Sequence, residues 1–112
     1  MNKYTNLSDF EINKKVASHY LPCDYNLNEH TKTVELIGFL GDTDEYNVYA
    51  TFDPCNNPTN AMPIIIENKI ASVPQLNGDL WICSHHPFYA TTNNLYRAAM
   101  ELFLLMKDAE NE

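Results

Sequence analysis

Residues 53–70, DPCNNPTNAMPIIIENKI, constrain the fold more than any other stretch, because they set three prolines and four asparagines around and ahead of three consecutive isoleucines. Proline fixes φ and removes a backbone donor, so neither a central strand nor an undisturbed helix is expected through Pro54, Pro58 and Pro63. Asp53-Pro54 ends the segment before it. Asn57-Pro58 has the form of a helix N-cap followed by proline at the first helical position, where the missing N–H costs nothing. Pro63 lies too deep for a regular helix begun at Pro58. It would forfeit one bond, crowd the carbonyl four residues back and push Met62 from helical angles. The expectation is an irregular turn over 58–62, then a short helix from Pro63 to Asn68. The prolines and the Glu67-Asn68-Lys69 ending favour that helix over a buried strand.

The flanking sequence reads more simply. LSDFEI, residues 7–12, is a helix start: Ser8 caps, Glu11 is placed to reach back, and Leu7 and Ile12 occupy staple positions. Ile12, Val16 and His19/Tyr20 repeat at helical spacing until Pro22 stops the helix. Residues 22–33 are polar and irregular. VELIGFL (34–40) and YNVYATF (46–52) read as an antiparallel hairpin around GDTDE, with Tyr46, Val48, Ala50 and Phe52 alternating against Asn47, Tyr49 and Thr51. IASVPQL, Asn77-Gly78 and DLWICSH read as a second hairpin on a type I′ turn, with Pro74 confining its first strand to an edge. HPFYATTNN (86–94) reads as a connecting loop. Asn93 or Asn94 then caps a final helix whose stripe is Leu95, Ala98/Ala99, Leu102, Phe103 and Met106. Leu104 and Leu105 widen that stripe, as in a helix wrapped by core, with burial at a subunit contact as the alternative. The fold expected is α+β in one domain, residues 1–112: an antiparallel sheet built from two hairpins with three helices, in the order α-β-β-α-β-β-α.

Composition limits function by exclusion. The formal net charge is -8, from 7 basic and 15 acidic residues, which disfavours nucleic acid because Lys and Arg must displace its counterions. Asp42, Asp44 and Glu45 form one acidic cluster, read as a solvated loop. Asp108, Glu110 and Glu112 form another, read as a frayed tail. No secretory segment and no apolar run of membrane-spanning length is present, so no membrane partner is expected. Cys23, Cys55 and Cys83 are odd in number and lack C-x-x-C spacing, which argues for reduced thiols in a cytosolic protein.

LSDFEINKKVA, DPCNNPTNAMPIIIENKI and NNLYRAAMELFLLM, taken together and in that order, resemble the NinX-like family of small bacteriophage proteins, a domain of unknown function. Met62 stands where the family pattern has tryptophan, and residues 22–34 lie outside the resemblance. The resemblance implies a phage accessory protein in the host bacterial cytoplasm. It supplies no activity and no catalytic residue.

No pattern in the residues marks a reaction. Cys83, His85 and His86, with Cys55, have the donor types of a zinc site but not its paired spacing, and neighbouring strand residues point to opposite faces. A polar strand end with one packed histidine is the expectation, and no metal. Three glycines, Gly38, Gly41 and Gly78, are too few and too scattered for a phosphate loop or a dinucleotide fingerprint. No cofactor is expected, and the chain reads as non-enzymatic.

Binding is the remaining class. Asn56, Asn57 and Asn60 at a helix N-terminus offer amide donors and acceptors, and Tyr46, Tyr49, Trp81 and Tyr89 offer rings for stacking. The candidate ligand site is Asn56, Asn57, Asn60, Trp81 and Tyr49, with Arg97 supplied by a neighbouring subunit of a homo-oligomer. The expected role, drawn from the phage resemblance, is a sponge that sequesters a small nucleotide-derived host immune signal. The alternative is a protein-interaction module, contacting a host or phage protein through Asp42, Asp44, Glu45 and exposed tyrosines.

Overall fold

A computed structural model describes residues 2–111. Its elements are α1 (Asp9–Tyr20), β1 (Tyr25–Asn28), β2 (Thr33–Phe39), β3 (Tyr46–Thr51), α2 (Pro58–Glu67), β4 (Ala71–Pro74), β5 (Trp81–His85), β6 (Phe88–Thr92) and α3 (Leu95–Glu110). The α+β class is as expected, with each hairpin extended by one strand. The strands form two separate antiparallel sheets, β1-β2-β3 and β4-β5-β6, rather than one.

Helix starts follow their caps. Ser8 accepts from the Glu11 N–H at 3.1 Å, while the Glu11 carboxylate turns away to pair with Lys14 at 3.2 Å. Asn57 accepts from the Thr59 N–H at 2.9 Å and Pro58 occupies the first helical position. Asn94 accepts from the N–H groups of Tyr96 and Arg97. These bonds satisfy donors that a helix N-terminus otherwise leaves open.

Pro63 does not divide α2 as expected; a single helix runs through it from Pro58 to Glu67. Ala61, Ile64 and Ile65 are buried at the spacing of one helix face, whereas Thr59 and Pro63 are exposed. The carbonyl that loses its bond therefore lies on the watered side, and burial of the isoleucine face offsets the single missing contact.

α3 is the centre of the molecule. Residues 98–104 are all buried, and Glu101 is the one charged side chain among them. α1, α2, β5 and β6 pack around it. Burial of this helix on more than one face is thus met within a single chain. Its last turn is not frayed: α3 continues to Glu110, and Asp108 accepts from the Tyr4 hydroxyl and pairs with Lys3 at 3.0 Å. Glu112 lies outside the described residues.

The strand errors have identifiable causes. β1 is polar, but Asn26 and Asn28 donate to the two oxygens of Glu35 across the β1–β2 ladder at 3.0 and 3.1 Å. β6 replaces the expected loop at 88–92, joined to β5 by the turn His86-Pro87, whose peptide bond is cis. Around Asn77-Gly78 the β4–β5 pairing is right but the tight turn is not. Pro74 pairs with Trp81, Gln75 bonds to Leu80, and of the loop residues only Gly78 has positive φ.

The β2–β3 register contains the most consequential departure. Leu36 faces Ala50 and Ile37 faces Val48, so Tyr49 is an extra residue, a bulge on β3. The bulge interrupts the alternation expected for 46–52. Phe52 joins the core beside Val34, whereas Val48 and Tyr46 share the opposite face with Ile37 and Phe39. All six residues of β3 are exposed.

Candidate functional site

The first turn of α3 places Arg97 beneath the N-terminal segment. Its Nη1 donates to Asp9 at 2.7 Å, its Nε to Glu101 at 2.7 Å, and its Nη2 to the carbonyls of Tyr4 and Leu7 at 2.9 and 2.7 Å. The Arg97 side chain is 11% exposed and that of Glu101 2%. Asn2 donates to the other Glu101 oxygen at 3.1 Å. One guanidinium thus ties the N-terminal segment, α1 and α3 together, a geometry that suits its fixed fork of donors. Burial opposes the charge on Asp9, but hydrogen bonds from Asn56 and Arg97 outweigh it and hold that carboxyl below its ordinary value.

The asparagine turn belongs to the same mesh. Asn56 donates to Asp9 at 3.0 Å and to Asp53 at 3.2 Å, and accepts from Asn94 at 3.2 Å. Asn94 also donates to the Cys55 carbonyl, and Asn13 bridges the Cys55 N–H and the Asp53 carboxylate. Asn60 accepts from the Asp53 N–H at 2.9 Å. The Asn56 amide is therefore engaged through both its nitrogen and its oxygen, tying the proline turn to α1 and to the cap of α3, while the side-chain oxygens of Asn57 and Asn60 accept N–H groups within the turn and α2.

Open volume lies on the other side of Asn94. A cavity of about 420 Å3 is lined by Asn2, Thr5, Pro87, Phe88, Tyr89, Ala90, Thr91 and Leu105. A second, of about 430 Å3, is lined by Thr5, Asp9, Leu80, Thr91, Thr92, Asn93, Asn94, Arg97 and Glu101. They share Thr5 and Thr91, so together they run along β6 from an aromatic end to a polar one. Of the residues expected at a site, Arg97 lines the second cavity from its own chain. Asn56, Asn57, Asn60, Trp81 and Tyr49 line neither. Trp81 is half-buried on β5 opposite Thr92, and Tyr49 projects from β3 in the other sheet. Tyr89, one of the candidate stacking rings, does line the aromatic cavity.

Sequence reasoning missed Asn2, Thr5, Phe88 and Thr91. Their cavity exists because residues 88–92 form a strand, which the flanking His86-Pro87 and Asn93-Asn94 pairs masked as a loop. Cys55 and Cys83 are buried apart, Cys83 beside Ser72 and the Leu95 carbonyl, and burial pushes both thiols above their usual range. His85 contacts the Lys69 carbonyl. Among the described residues no group of three His, Cys, Asp or Glu side chains is arranged to hold a metal ion, and no helix is long and apolar enough to cross a membrane.

The family model described as Bacteriophage P22, NinX, matches residues 3–107, nearly the whole chain, and the chain belongs to that family. No curated protein and no solved structure matches it.

Proposed function

Starting from membership of a phage family, we propose that this accessory protein is a non-enzymatic binding module whose small-molecule site is the groove along β6. The observation that carries the reading is the cavity of about 420 Å3 walled by Pro87, Phe88, Tyr89 and Leu105, which adjoins a polar cavity through Thr5 and Thr91. Its size and apolar lining fit the range of small-ligand pockets, with few polar groups to orient the guest. A planar base stacks at the aromatic end. Sugar hydroxyls reach the polar end, where the Asn93 amide offers a donor and an acceptor and the Asp9 carboxylate keeps lone pairs beyond its bonds to Asn56 and Arg97. Asp9 and Glu101 outnumber Arg97 there, so phosphates stay at the mouth of the groove.

The ligand class is therefore nucleoside-like, and the biological role is sequestration of a nucleotide-derived immune signal in the cytoplasm of the host. Titration calorimetry and thermal shift against nucleosides, cyclic nucleotides and cyclic ADP-ribose test it. At least one ligand is expected to raise the melting temperature by several degrees at saturating concentration. Tyr89→Ala and Thr91→Trp are expected to abolish the shift without unfolding the chain. No shift with any member of the panel would overturn the reading.

A further inference from the structure

The sheet β1-β2-β3 carries a second surface, unconnected with the groove. Ile37, Phe39, Tyr46 and Val48 share its outer face by register. Phe39 and Tyr46 meet edge to face at 6.1 Å between ring centres. Phe39 is 50% exposed and Val48 47%, and Leu40 lies exposed beside them. Ile37 is buried yet stands outside the central cluster. The bulge at Tyr49 turns Val48 and Tyr46 to this face; a regular strand would have carried them inward with Phe52.

Charge selects what can cover the patch. Residues 33–51 contain Glu35, Asp42, Asp44 and Glu45 and no Lys or Arg. Asp42, Asp44 and Glu45 make no ion pair among the described residues, and their loop borders Phe39, Leu40 and Tyr46. A second copy would set the same four carboxylates against themselves, and nucleic acid or an anionic lipid surface would be repelled. The bulge also breaks the edge of β3 as a template for strand addition.

We propose that the outer face of this sheet, centred on Phe39, Tyr46 and Val48, docks a basic protein surface. The acidic loop steers the encounter, and the apolar residues form the dry centre. The test captures partners from host-bacterial lysate on the tag-free chain, identifies them by mass spectrometry, and maps the purified complex by hydrogen exchange. The expected result is a basic partner that protects residues 37–48. Its affinity falls about tenfold or more with Val48→Asp, and by a similar factor with the triple change Asp42→Asn, Asp44→Asn and Glu45→Gln, with a strong salt dependence in the parent. Both variants alter exposed positions, and melting temperatures check that they fold. An acidic partner, no partner, protection at β6 instead, or affinity indifferent to both variants would each overturn the proposal.

Discussion

Arg97 is the residue whose replacement should cost most. Arg97→Met removes the partner of Glu101, which is almost wholly buried, and frees two backbone carbonyls. A buried charge left without its partner costs about 3–5 kcal/mol, and urea denaturation is expected to show a loss of that order. Adding Glu101→Leu removes the stranded charge and is expected to recover about half of the loss or more. The same mesh sets the acid limit. Asp9 and Asp108 are both held below the ordinary carboxyl value; burial acts against this, and hydrogen bonds from Asn56 and Arg97, and from Tyr4 and Lys3, prevail. Their folded-state values are depressed, so the stability they contribute is complete above the unfolded value of about 3.9 and is lost as pH falls through the lower folded values. Urea midpoints measured from neutral pH downward are expected to hold steady and then drop below about pH 4. Asp9→Asn should flatten that drop.

At the scale of elements, α2 gives the sharpest prediction. Pro63 lies within a continuous helix and faces water, so Pro63→Ala restores a donor to the Thr59 carbonyl. The expected gain is about 1 kcal/mol or more, reduced by the greater freedom of the unfolded chain. A helix beginning only at Pro63 would gain nothing from the change. Asn94→Ala should cost about 1–2 kcal/mol, since it removes both a cap and the link to the proline turn. These elements also show what was legible beforehand. Ser8, Asn57 and Asn94 announce helix starts through local bonds, which sequence spacing encodes directly. β1 was illegible because its pairing draws on Asn26 and Asn28 bonded to Glu35 across the strands, and β6 because its ladder to β5 is a backbone one that its short, polar-ended sequence does not announce. The bulge at Tyr49 was illegible too, since it depends on the partner strand. The groove inherits that blindness, because it is built on β6, and of its residues only Arg97 and Tyr89 were expected as ligand contacts.

For the whole molecule, the radius of gyration is 15.1 Å and the principal extents are 52 × 30 × 23 Å. A compact chain of this length would have a radius near 13 Å. The excess fits a body centred on α3 with the three-stranded sheet of β1-β2-β3 extending from it. Hydrogen exchange is expected to divide accordingly. Amides of residues 98–104 should exchange only through global unfolding, whereas those of β3, exposed along its length, should exchange through local opening at much lower free energy. Equal protection in both regions would contradict that division.

Asn2 and Thr5 at the start of the chain form part of the groove wall, and Lys3 and Tyr4 are fastened to the last turns of α3 at Asp108. An affinity handle fused to the amino end therefore emerges beside the mouth of the cavity, where it can plug or reshape it. Compound screens run on such a fusion invite false negatives, and a cleaved amino end is the appropriate starting material.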